Sequence, residues 1–201
     1  MTIPGRNPES IRLALQQELT DTVWLDTALE TVQRQPAAIA KLFPAAGRKC
    51  GRWMLITLEG WSVDDAARVL LLTEAPSEAE SLYRYGDAAE KRAVLKALPL
   101  LGLEPSITRT LLSDALRTND TRLVAAALGP AAHHLDDAEW RQGVLKAVFM
   151  QLPLAGIAEL DERADAELAT MLGGLAEERA AAGRPMADDA TALLHRLSPA
   201  R

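Results

Sequence analysis

Gly86-Asp87-Ala88-Ala89-Glu90-Lys91-Arg92-Ala93-Val94-Leu95-Lys96-Ala97-Leu98 and Asp136-Asp137-Ala138-Glu139-Trp140-Arg141-Gln142-Gly143-Val144-Leu145-Lys146-Ala147-Val148 are near copies of one another. At a constant offset of 50, an Asp-Ala pair, a basic residue, Val-Leu-Lys-Ala and a final aliphatic residue coincide. A helix and its connection recurring near this period predict stacked helical hairpins. Each hairpin buries one face against the next, and such stacks generally present a binding surface.

The remaining sequence supports a helical reading. Alanine and leucine dominate, and aromatic residues make up only 4% of the 201 residues. Ala and Leu enter helices at little cost, whereas sheets draw on branched and aromatic side chains. Asn7-Pro8 reads as a cap and first turn for a helix carrying Ile11, Leu15 and Leu19 on one face. Trp24, Leu25, Ala28, Leu29 and Val32 continue that segment, as a second helix of a hairpin or as one bent helix. Pro36, Pro44, Gly47 and Gly51 mark residues 36–52 as irregular, with a short apolar turn at 39–43. Residues 53–58 are apolar and fit helical turns or one short strand.

Farther along, Ser62, Pro76, Pro105, Asp120 and Asp136 each open a predicted helix. Asp136 with Glu139 has capping-box spacing. Residues 154–182 form another hairpin or one long helix, weakened by Gly173-Gly174 unless a neighbour packs closely there. Residues 186–197 form a last amphipathic helix. The expectation is therefore all-α: a HEAT-like α-solenoid of about ten helices in one domain spanning 1–201.

Charge and motif content narrow the function. The formal charge is −6, and the densest basic run, Arg48-Lys49-Cys50-Gly51-Arg52, is short, so nucleic acid is not an expected partner. One cysteine excludes an internal disulfide and a cysteine-based zinc site. No apolar run reaches the ~20 residues of a membrane helix. Met1-Thr2-Ile3-Pro4-Gly5-Arg6 does not read as an export leader, so the expected compartment is the cytoplasm. Walker, dinucleotide and nucleophile-elbow motifs are all missing.

Single residues add little chemistry. His133-His134 are helical neighbours about 100° apart, poorly placed to chelate one ion. Cys50 lies among positive charges but has no identifiable base. Ser62, Ser77 and the pairs Asp64-Asp65, Asp136-Asp137 and Asp188-Asp189 fall at helix starts, where capping and the helix dipole account for them. Neither metal nor cofactor is expected. Polar groups are densest between Arg117 and Lys146, at an inter-helix corner and on the helix after it. They read either as a polar corner or as a ligand or partner patch of Asn119, Asp120, Arg122, His134, Gln142 and Lys146, anchored by Trp140. Trp140 lies about 200° round the helix from Gln142, so the two cannot share one narrow stripe.

Ala115-Leu116-Arg117-Thr118-Asn119-Asp120-Thr121-Arg122-Leu123, the stretch 131–135, residues 140–149, Pro153-Leu154 and residues 160–168 resemble the EboA family. Trp61 and Asp65-Ala66-Ala67-Arg68 fit the same pattern, and the resemblance covers roughly 50–180. By position it carries over Asn119, Asp120, Arg122, His134, Trp140 and Lys146, without assigning a catalytic residue. It implies a bacterial gene cluster, found also in some algal plastid genomes. The companions there resemble a metal-dependent hydrolase, a membrane prenyltransferase, a sugar cyclase and a sugar isomerase. Such a set implies a cyclitol-derived, prenylated product, and in some cyanobacteria export of a pigment precursor to the periplasm. The expected role is a non-catalytic accessory or scaffold whose partners are the prenyltransferase-like and isomerase-like proteins, or a small hydrophobic metabolite. It would lie in the cytoplasm or at the inner membrane through a partner. The alternative is a small-molecule-binding protein or enzyme with a polar pocket around Asn119, Arg122 and His134. A self-associating structural protein is a third reading.

Overall fold

The computed structural model describes residues 7–198, and these are helical almost throughout. Residues 1–6, on which the leader reading rests, lie outside that range. Twelve α-helices are formed among the described residues, with four short 3-10 turns, and no strand. The one pairing of extended backbone is an isolated bridge between Met54 and Ser62. The chain divides into two compact units, Met1–Leu111 and Leu112–Arg201, each described in turn. The sequence carries no linker at this division, because helix α7 (Pro105–Arg117) runs through it.

The first unit holds α1 (Pro8–Glu18), α2 (Val23–Arg34), α3 (Ile39–Lys49), α4 (Val63–Thr73), α5 (Ala79–Tyr85) and α6 (Ala88–Leu101). Asn7 caps α1 by accepting from the Ser10 N–H, and Ser62 does the same for α4 at Asp65. Helix α4 is the centre. Every residue from Val63 to Leu72 is buried, as a helix apolar around most of its surface requires. Helices α1, α2, α3 and α6 all pack on it.

Helix α3 departs from the expected irregular segment 36–52. Pro36 opens a 3-10 turn, and an 11-residue helix follows with Pro44 inside it. A proline there removes one backbone donor and crowds the preceding turn. Burial of Ile39, Phe43, Ala46 and Gly47 offsets that cost through contacts that local sequence does not register.

The second unit holds α8 (Thr121–Ala127), α9 (Asp137–Phe149), α10 (Leu160–Arg163), α11 (Ala166–Ala181) and α12 (Asp188–Leu197). Asp120, Asp136 and Asp165 cap α8, α9 and α11. The stretch left open at 154–182 is broken into a 3-10 turn, α10 and α11.

The duplicated segments open α6 and α9. Both start with a capping box, Asp87 with Glu90 and Asp136 with Glu139. The caps are 49 residues apart while Val94-Leu95-Lys96-Ala97 and Val144-Leu145-Lys146-Ala147 are 50 apart, so one residue is added between cap and core block. Val94, Ala97 and Leu98 are buried in one copy, and Val144, Ala147 and Val148 in the other. Ala93 matches Gly143, where a β-carbon would come within 2.9 Å of Leu128 and 3.2 Å of Leu116.

Candidate functional site

The densest set of buried charges is in the first unit and was not expected as a site. Ser62, Asp64, Asp65 and Arg68, all on or next to the first turns of α4, are each under 5% exposed. Their i, i+3 and i+4 spacing follows from the helix; their burial follows from α4 being central. Arg68 Nη1 reaches Asp64 Oδ2 at 2.5 Å, and its Nε donates to the Phe43 carbonyl at 3.1 Å. The Ser62 hydroxyl donates to Asp64 Oδ1 at 2.6 Å. Asp65 accepts from Arg92 Nε at 2.8 Å and from Lys96 Nζ at 2.7 Å, both from α6. Arg92 also donates to the Ser62 oxygen, and Lys96 to the Gly60 carbonyl while lying over the Trp61 ring.

Each carboxylate oxygen of Asp64 and Asp65 therefore has a donor. Burial alone would raise the Asp64 pKa, but the Ser62 hydroxyl and the Arg68 guanidinium outweigh it and hold the carboxyl below its usual value. An ionised, fully partnered carboxylate is not poised to move protons at neutral pH. Its chemistry is to fix α4 against α3 and α6. Nearby Cys50 is buried, and desolvation pushes its thiol up to about 11, away from the reactive thiolate.

The seven residues expected from sequence lie in the second unit and are in three kinds of setting. Asn119 and Arg122 are exposed at the corner between α7 and α8, with Asp120 half-buried between them. Asp120 accepts from the Arg122 N–H, and the Arg122 guanidinium folds back on the same carboxylate at 3.0 and 2.6 Å. Those Arg122 hydrogen bonds, against a smaller opposing effect of burial, lower the Asp120 pKa.

His134 is half-buried in the Pro130–His134 turn, its ring 4.1 Å from that of exposed His133. Desolvation, and then the charge His133 can carry, lower its pKa and keep it neutral. His133 Nδ1 lies 2.9 Å from the Pro130 carbonyl. On α9, Gln142 is exposed, whereas Lys146 donates to the Leu116 carbonyl at 2.8 Å, one residue before the end of α7. Lys96 meets Gly60 in the same way, so both copies of the repeat use this lysine to satisfy a backbone carbonyl.

Trp140, expected as a surface anchor, is fully buried. Arg163 of α10, absent from the sequence-based site set, covers the indole at 4.9 Å from its centroid. The same guanidinium donates to the Ala132 and Leu135 carbonyls and to Asp137. Its signal lies in the family-like stretch 160–168, but Trp140 and the Ala132, Leu135 and Asp137 groups it bonds are 23 to 31 residues away. The indole N–H has no acceptor among the described residues.

None of the seven lines the cavity of about 400 Å³ between α11 and α12. That open cleft is bordered by Ala176, Ala180, Met186 and Leu194, with Arg184 and His195 at hand. Among the described residues no cluster of three or more metal-binding side chains occurs, and no helix is long and apolar enough to cross a membrane.

Comparison with curated proteins and with solved structures returned no match. A family model described as "Metabolite traffic protein EboA" matches residues 43–195. That span takes in α4 with its buried charges, both copies of the repeat, the α7–α8 corner and the α11–α12 cleft, well over half of the 201 residues. The chain belongs to the EboA family.

Proposed function

We infer that this chain is a non-catalytic accessory protein of metabolite traffic, acting by holding a partner or a metabolite. The observation that carries this reading is the fate of the buried charges. Asp64, Asp65, Arg68, Arg92 and Lys96 are spent on one another and on backbone carbonyls, so they build helices into place. The family description, metabolite traffic, fits such a role. The duplicated helices belong to a HEAT-like, solenoid-type stack whose outer face does the holding. Asn119, Asp120, Arg122, His134 and Gln142 supply its polar contacts, with Trp140 and Lys146 fixing α9 from inside. The pathway makes a cyclitol-derived, prenylated compound, and the partners are the prenyltransferase-like and isomerase-like proteins of the same cluster. The chain works in the cytoplasm, at the inner membrane through such a partner.

A second reading, a small-molecule carrier, is favoured by the α11–α12 cleft, whose volume suits one metabolite. Affinity capture from the native host, with mass spectrometry of co-purifying proteins and small molecules, separates the two. A stoichiometric protein partner lost on Arg122→Ala with Gln142→Ala supports the scaffold. A stoichiometric metabolite lost on Leu194→Trp supports the carrier. Turnover of a pathway compound by the purified chain alone contradicts both.

A further inference from the structure

Residues 48–56 carry a combination that neither the core nor the buried charge network uses. Trp53, Met54 and Ile56 are 50%, 58% and 90% exposed, three of the large apolar side chains most open to solvent. Leu55 between them is buried, so Met54 and Ile56 face outward together. Three exposed cations, Arg48, Lys49 and Arg52, immediately precede them, and none makes an ion pair among the described residues. Such exposure of adjacent aromatic and aliphatic groups usually marks a contact surface.

The segment is held in shape. The Met54–Ser62 bridge, the Val63 N–H to Trp53 carbonyl and the Leu55 N–H to Trp61 carbonyl fasten it to the start of α4. Glu18 of α1 accepts from the Ile56 and Thr57 N–H groups and the Thr57 hydroxyl. Its pKa is lowered chiefly by the Thr57 N–H, so this acid is ionised and spent on the segment. Gly51 has φ +108°, and a β-carbon there would fall 1.8 Å from the Trp53 ring. Only glycine lets the indole lie across the backbone at that point.

We propose that this segment binds an anionic lipid surface directly. The exposed Met54 and Ile56 side chains, with a half-exposed indole at Trp53 in the same segment, suit the boundary between headgroups and acyl chains. Arg48, Lys49 and Arg52 supply the charge complementarity, on a chain whose net charge of −6 would otherwise be repelled. Glu18, ionised against the segment, and the exposed Glu59 of the adjoining turn are two acids, and three cations outweigh them. Lipid contact of this kind does not depend on what the chain carries.

The test is flotation of the full chain with vesicles of phosphatidylcholine containing phosphatidylglycerol, against vesicles of phosphatidylcholine alone. The expected result is binding to the anionic vesicles only, reversed by salt. Neutralising each of Arg48, Lys49 and Arg52 with glutamine should weaken it about fivefold. Ile56→Asp should weaken it more than about tenfold, and Ile56→Ser, which brings no charge up to the Glu18 carboxylate, should also weaken it, with an unchanged melting temperature, because that side chain touches little of the fold. Absence of wild-type flotation, or flotation unaffected by Ile56→Asp and by the glutamine variants, overturns the proposal. So does concentration-dependent self-association that Ile56→Asp abolishes while vesicles are ignored, since the occupant is then a second copy.

Discussion

Asp64 and Arg68, one helical turn apart on α4, face each other at 2.5 Å with 3% and 1% of their side chains exposed. A pair so enclosed is costly to form and costlier to break. Removing one partner leaves a buried charge alone, typically about 3–5 kcal/mol, whereas replacing both with apolar groups of like size is often neutral. Asp64→Ala should therefore destabilise by about that amount, and Asp64→Leu with Arg68→Met should recover most of it. Urea unfolding of the two variants is the check. If the single variant is nearly silent, the pair does not organise α4.

The same pair sets a pH dependence. The folded-state pKa of Asp64 lies below its ordinary value of 3.8, so its contribution is complete above that value and is lost as pH falls through the lowered folded value. Melts from neutral pH into acid should show an acid limb that is shallower in Asp64→Asn than in the wild type. An unchanged limb would mean the carboxyl is not held ionised by Ser62 and Arg68.

Trp140 and its cover, Arg163, test what α9 is for. Trp140→Ala should cost about 3–5 kcal/mol through cavity formation. Trp140→Phe should cost far less, because the indole N–H it removes has no acceptor among the described residues. Thermal unfolding of both variants reads this. A partner or ligand lost on Trp140→Phe at unchanged stability would return the residue to a contact role.

Much of this was legible in sequence and some was not, for physical reasons. Caps at Asn7, Ser62, Asp120 and Asp136 could be read because a cap and the backbone N–H that donates to it sit within three residues. The helix through Pro44 could not, since its support is tertiary burial. The helix dipole explains Asp64 and Asp65 locally, and that explanation holds at that position. The partners of Asp65, Arg92 and Lys96, lie 27 and 31 residues away from it, and no local pattern connects them. Likewise the pattern around Trp140 did not say which face of α9 turns inward. The repeat was legible as helices, though the one-residue addition between cap and core block was not.

His134 offers a site-resolved readout. Its pKa is lowered, first by desolvation and then by His133, so unfolding takes up a proton between the folded value and the ordinary 6.5. The sign follows: the contribution is present above 6.5 and falls away as pH drops through the folded value. In an NMR titration His134 should titrate below 6.5, and His133→Gln should move it upward. A midpoint at or above 6.5 in the wild type contradicts this placement.

Gly173 and Gly174 lie inside α11, and a β-carbon at either would meet nothing within 4 Å. Alanine at each should stabilise by about 1 kcal/mol from helix propensity. A fall in melting temperature would show that something packs against α11 at these glycines.

The most direct measurement of the functional account compares metabolite distribution in host cells with and without this chain. Without the chain, the pathway compound should be made at an undiminished rate but retained on the wrong side of its route, with normal distribution restored by the wild-type chain. Disappearance of that compound with build-up of its immediate precursor, together with conversion of the precursor by the purified chain, would contradict it.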